Sequence, residues 1–216
     1  MYLSRVLLDA KRRSTMAAMA KPNVFHGAIE SSFQPYSQER LLWRVDELRG
    51  QHYLLLLSRS EPDLSDPVRQ FGREGESVCE TKSYEPLLQK IALGDVWHFR
   101  LAANPTRSTK DLPGSQDRGT VVAHVTRQQQ REWLLARAER YGFAVNPGDF
   151  DVVRSEWKEF RKNERQRHPV SFKMAIYEGM LTVVDQELFK AALVNGIGRS
   201  KAYGCGLLTI APLQVR

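Results

Sequence analysis

The chain has 216 residues, 42% of them hydrophobic and 26% charged, the composition of a folded globular protein that can bury one large core or two small ones. Its 32 Lys and Arg against 25 Asp and Glu give a formal net charge of +7 and a pI of about 9.5, which favours a polyanionic partner such as nucleic acid. Two cysteines, Cys79 and Cys205, exclude a disulfide framework and a four-cysteine zinc site, and the longest apolar run, Tyr53 to Leu57, is too short to span a bilayer.

In chain order, Tyr2 to Leu8 reads as a buried strand, followed by the basic Lys11-Arg12-Arg13. These charges come too early for a signal peptide, so a cytoplasmic protein without a membrane partner is expected. A helical region runs from about Ser14 to Phe33, interrupted by Pro22, with Phe25, Ile29 and Phe33 forming one apolar stripe. Leu41–Val45 and His52–Ser58 read as an antiparallel pair turning near Arg49-Gly50. A short helix over Pro62–Phe71 and a strand over Ser77–Ser83 complete a strand-helix-strand-strand-helix-strand order.

The order then repeats. Val96–Ala103 alternates as a strand, and Asn104–Gly119 is rich in Pro, Gly, Ser and Thr and reads as a loop. Gln128–Tyr141 is an amphipathic helix closed by Gly142. Phe150–Phe160 and Pro169–Val184 are strands joined by a basic connector; Asp185 is the N-cap of a helix through Leu188, Ala192 and Leu193; Leu207–Ile210 is the last strand. The expected fold is α+β, two tandem ferredoxin-like (βαββαβ) domains, at residues 1–90 and 91–216.

Three places carry candidate chemistry. His26 lies near the border of the Phe25/Ile29/Phe33 stripe, half exposed, where an imidazole with an ordinary pKa of about 6.5 suits proton transfer; the plain alternative is an uninvolved surface histidine. Arg154 to His168 holds six cations, Arg161, Lys162, Arg165 and Arg167 among them; this is either a phosphate-tracking hairpin tip or a solvated loop. The third is Gly196-Ile197-Gly198-Arg199-Ser200-Lys201-Ala202-Tyr203-Gly204-Cys205-Gly206. It follows a helix and precedes a strand, the reverse of a P-loop. It reads as a phosphate cradle with Arg199 and Lys201 at its centre, or as a tight connection with Gly196 ending the helix. No histidine stands at metal-ligand spacing from another His or Cys, so neither a metal nor another cofactor is expected.

Met1-Tyr2-Leu3-Ser4-Arg5-Val6, the Phe25-His26 helix, Leu41-Leu42-Trp43-Arg44, Phe99-Arg100-Leu101-Ala102-Ala103-Asn104-Pro105 and the run from Gly196 to Pro212 together resemble the CRISPR-associated CasE family, the repeat-processing endoribonuclease of the Cascade system. The resemblance implies metal-independent cleavage of a CRISPR repeat hairpin with His26 as the catalytic residue. It implies RNA contacts from Arg161, Lys162, Arg165 and Arg167 and from Gly196, Gly198, Arg199 and Lys201, and a place among other Cascade subunits. Family members often carry a tyrosine three residues before the histidine, where this chain has Asn23. Asn cannot transfer a phenolic proton, so either another helper such as Lys21 or a lysine of the connector serves, or the chain binds the repeat without cutting it. A ferredoxin-like sensor or scaffold is the remaining reading.

Overall fold

The computed structural model describes residues 1–33, 41–75, 78–110, 119–161 and 168–213. Its first half contains β1 (Tyr2–Leu8), α1 (Arg13–Ala20), α2 (Pro22–Glu30), β2 (Leu42–Leu48), β3 (Gln51–Ser58), α3 (Ser65–Phe71), β4 (Cys79–Ser83) and α4 (Glu85–Lys90). The four strands form an antiparallel sheet in the order β2-β3-β1-β4, with Val6 opposite both Leu54 and Cys79. The β2–β3 turn is the expected one. Arg49 and Gly50 both adopt positive φ, 52° and 73°, the two-residue geometry whose twist matches the strands it joins.

Both faces of this sheet are covered, which explains why Tyr53–Leu57 is an unbroken apolar run. Leu54 and Leu56 pack with Phe25, Ile29 and Phe71 under the sheet's own helices, while Leu55 and Leu57 point the other way. There Leu42 and Leu57 join Leu101, Tyr177, Leu193 and Leu208 in one core that crosses between the halves.

The second half contains β5 (Val96–Ala103), β6 (Thr106–Thr109), β7 (Thr120–Ala123), α5 (Arg127–Ala138), β8 (Phe143–Ala144), β9 (Phe150–Phe160), β10 (Val170–Val183), α6 (Gln186–Asn195) and β11 (Leu208–Pro212). Its sheet runs β11-β5-β10, with both β9 and the short β8 pairing with β10. Each half thus places its first and third strands at the centre, and the chain folds as two tandem ferredoxin-like units. Two expectations need correction. The stretch Asn104–Gly119 is not all loop: Thr106–Thr109 pairs with Thr120–Ala123 as a separate ribbon, because its β-branched residues favour strand despite the Pro, Gly and Ser around them. The Gln128 helix begins at Arg127 and ends as α-helix at Ala138, tightening to a 3-10 turn over Glu139–Tyr141.

Local signals set the helix ends. Thr126 and Gln129 form a reciprocal capping box on α5, and the Asp185 carboxylate accepts from the Leu188 N–H at 2.9 Å to start α6. Gly196 ends α6 with φ 73°.

Candidate nucleic-acid interface

α2 is held rigidly beneath His26. Pro22 opens it at a position where a missing N–H breaks no helical bond. Phe25 is wedged edge-on against Phe71, with ring centroids 4.9 Å apart, and lies 5.7 Å from the Trp43 ring. The next side chain, His26, is 31% exposed, and its Nε2 stands 3.3 Å from a Glu30 carboxylate oxygen one turn on. Its Nδ1 is buried, with no hydrogen-bond partner among the described residues. Nε2 is therefore the nitrogen that can meet a ligand. Asn23 lies on the preceding turn of the same helix.

The glycine-rich stretch is folded onto this helix. Its 3-10 turn, Lys201–Tyr203, packs against both α2 and β2. Gly204, at φ 81°, lies flat on Trp43, and a Cβ there would stand 3.1 Å from the indole; the same indole touches Phe25. Tyr203 reaches the opposite way, with Phe160 and Phe172 of the β9–β10 hairpin 5.1 and 5.9 Å from its ring. One short loop thus ties the histidine helix to the root of the basic hairpin. Sequence reasoning misses Tyr203 as an anchor, although a lone aromatic among glycines is a fair sign of one.

The four expected positions in this loop differ in surroundings. Gly196 is buried, and a Cβ on it would stand 2.7 Å from Leu42 Cδ2. Gly198 is half-buried against Trp133, and Arg199 is exposed. Lys201 turns back, donating from Nζ to the Asn195 carbonyl at 2.7 Å and capping the negative end of α6. Arg161 is exposed just past β9; Lys162, Arg165 and Arg167 lie outside the described residues.

Between the halves runs a cleft of about 400 Å³, with β2 on one side and β9 and β10 on the other. Arg154 and Lys158 both pair with Glu156 at 2.9 Å along its wall. Burial pushes the Glu156 carboxyl up, but the hydrogen bond and charge of Lys158, with Arg154, more than reverse it and hold it below its usual range. Among the described residues no three of His, Cys, Asp and Glu converge on a common point, and no helix is long and apolar enough to cross a membrane.

A family model described as CRISPR associated protein matches residues 1–212. The chain belongs to that family. Within it, the CRISPR-associated endoribonuclease Cse3 of Thermus thermophilus is 30% identical over 224 aligned residues, covering 98% of this chain and 100% of the relative. The Cascade subunit CasE of Escherichia coli K12 is 30% identical over 142 residues, 63% of this chain and 67% of its own length. The structure of Thermus thermophilus Cse3 bound to an RNA representing a pre-cleavage complex superposes with a TM-score of 0.77 at 26% identity, covering 98% of each chain. The CasE-family membership expected from the sequence, and the doubled ferredoxin-like fold, are both borne out.

Proposed function

We propose that this protein is the CRISPR-repeat endoribonuclease of a Cascade system, cutting precursor RNA at a repeat hairpin with His26 and keeping the product as a Cascade subunit. The observation that carries the activity is the 30% identity, over the full length, to an endoribonuclease whose structure holds an RNA representing a pre-cleavage complex. What supports His26 is its place: a half-exposed imidazole on a helix fixed by Phe25, beside the loop that also holds the basic hairpin.

In the reaction, the ribose 2′-oxygen forms a bond to the adjacent phosphorus and the bond from phosphorus to the 5′-oxygen breaks. The products are a 2′,3′-cyclic phosphate and a 5′-hydroxyl, so no water is consumed. His26 moves a proton at Nε2, from the 2′-hydroxyl or to the leaving 5′-oxygen, help typically worth ~10²–10⁴ in rate. Arg161, Lys162, Arg165 and Arg167 hold the stem backbone from the hairpin, while Gly198 and Arg199 present a cationic corner to phosphate, to which Lys201 adds its charge while it stays on the Asn195 carbonyl. Gly196 serves by shape, letting the loop close onto Leu42. The compartment that follows from such a substrate is the cytoplasm, where precursor RNA is made.

Asn23 in the place of a catalytic tyrosine favours a second reading, a repeat-binding subunit without the cut. Incubating the chain with its cognate repeat RNA in excess EDTA and mapping the ends separates the two. The expected result is a cut leaving a cyclic phosphate, lost in His26→Ala while RNA affinity is kept. Normal cutting by His26→Ala would remove the assignment, and binding without any cut by the wild type would establish the second reading.

A further inference from the structure

Several arginines of the described residues are neutralised in pairs: Arg5 with Glu80, Arg44 and Arg100 with Asp46, Arg131 with Asp151, Arg154 with Glu156. One cluster is not. Arg107 on β6, His124 just past β7 and Arg137 on α5 stand together, and no carboxylate among the described residues forms an ion pair with any of them.

Their proximity is built into the ribbon. Thr106 faces Ala123 and Arg107 faces Val122, and the His124 N–H donates to the Pro105 carbonyl at 2.9 Å. Arg107 and His124 are therefore diagonal neighbours on one face of the ribbon. The buried Gln130 fixes this end to α5, donating to the His124 carbonyl at 2.9 Å. Arg137 closes the group: its guanidinium lies 4.9 Å over the Trp133 ring and donates to the carbonyls of Trp133 and Thr106 at 3.3 and 3.4 Å. That leaves further N–H groups of its planar fork for an acceptor. Crowded cations oppose one another. Burial first, then the charges of Arg107 and Arg137, push the His124 imidazole below its ordinary range, against a smaller opposing influence from Glu132. Arg137, desolvated and near Arg140, is likewise pushed down. Such repulsion is relieved when an anion sits among the three.

We infer that Arg107, His124 and Arg137 form a phosphate site, separate from the β9–β10 hairpin, that takes a backbone phosphodiester of the bound RNA. Trp133 makes it continuous with the glycine-rich corner. The far edge of the indole, Cζ2 and Cη2, lies where a Cβ on Gly198 would stand 3.4 Å away, beside the exposed Arg199. The choice of RNA as the source of the phosphate rests on the function proposed above.

The test is repeat-RNA affinity against salt for the full chain, with Arg107→Gln, His124→Gln and Arg137→Gln. Removing one cation from a phosphate should flatten the slope of log affinity against log salt by about 0.7. Arg107→Gln should show that decrease, and Arg137→Gln should bind roughly tenfold more weakly at fixed salt. Because Arg137 also packs on Trp133, circular dichroism checks its fold; should it unfold, the exposed Arg107 and the ribbon-edge His124 decide. Variants that fold and keep the wild-type slope overturn the site, and leave the patch for an acidic surface of another protein. Titration with inorganic phosphate alone should move the His124 ring resonances only weakly; tight saturation by free phosphate overturns the RNA assignment. A wild type that binds no RNA at all fails the parent reading instead.

Discussion

The guanidinium of Arg44 donates to the carbonyl of Leu207 at 2.8 Å, joining two residues 163 positions apart in the chain. The same side chain, on a residue only 2% exposed, donates to the Arg100 carbonyl and the Thr209 hydroxyl, and pairs through Nε and one terminal nitrogen with both oxygens of Asp46. Asp46 also receives Arg100, which pairs with Glu178. A single buried cation thus pins β2 of the first sheet across β5 and β11 of the second.

Replacing Arg44 by Met keeps most of the volume but removes the Arg44 donor from the Leu207 carbonyl and from part of the Asp46 carboxylate, and leaves the Arg100 carbonyl only the longer side-chain hydrogen bond from the Thr209 hydroxyl, at 3.3 Å. Breaking a buried pair on one side typically costs about 3–5 kcal/mol. Arg44→Met should therefore lose about that much unfolding free energy, read as a lower urea midpoint. A loss below about 1 kcal/mol, no more than an exposed ion pair is worth, would show that this strut does not hold the two sheets together.

Much of this architecture is legible in the sequence, and the reasons are local. The stripe on α2, the Arg49-Gly50 turn, the Asp185 cap and Gly196 at the end of α6 are signals carried by neighbouring residues, and each stands where expected. What escapes depends on distant residues. Arg44 reads in sequence as a cation in an apolar strand, and only the second sheet supplies its acceptors. The ribbon of β6 and β7 escapes because Pro, Gly and Ser outweigh its threonines and valines. Glu30 is the avoidable miss: His26 and an acid four residues on share a helix face by spacing alone.

The glycines near the site make opposite predictions. Gly204 has φ 81° and Trp43 against it, so Gly204→Ala strains the backbone and displaces the indole that supports Phe25. It should cost on the order of 1–3 kcal/mol. Gly27, next to His26 in α2, has nothing within 4 Å of an added Cβ, and Gly27→Ala should stabilise by about 0.5–1 kcal/mol. Thermal unfolding of the two variants checks both signs; equal shifts would contradict the loop packing.

Cys205 and Cys79 should differ sharply towards alkylating reagents. Cys205 is fully buried between the hairpin and the loop, and burial pushes its thiol up to about 12; at pH 8 its thiolate fraction is roughly 10⁻⁴. Cys79 is exposed. A thiol reagent should titrate one cysteine in the native protein and two in denaturant. The folded value lies above the ordinary thiol value of 9.0 that the unfolded chain recovers, so the native state binds the proton more tightly. This contribution to stability is full below that ordinary value and is lost as pH rises towards the folded one. Fast native labelling of two thiols would contradict the packing of Tyr203 over the hairpin root.

Glu30 gives the most direct test of the proposed role of His26. With Nδ1 buried, the substrate of the proposed cut would reach the imidazole at Nε2, which already faces the Glu30 carboxylate at 3.3 Å. A scissile phosphate arriving there would come close to a second negative charge, and Glu30 is about half exposed, so solvent screens much of the repulsion. Glu30→Gln keeps an oxygen that can accept from Nε2–H and removes the charge. It should bind repeat RNA more tightly by a few-fold, the gain being largest at low salt, while the loss of the i,i+4 ion pair costs only about 0.2–0.5 kcal/mol of helix stability. Glu30→Ala should match the gain in affinity but free the imidazole to turn, so its single-turnover cleavage should fall below that of Glu30→Gln. Identical affinities for all three proteins would place the scissile phosphate away from this face of α2, and with it the proton transfer assigned to His26.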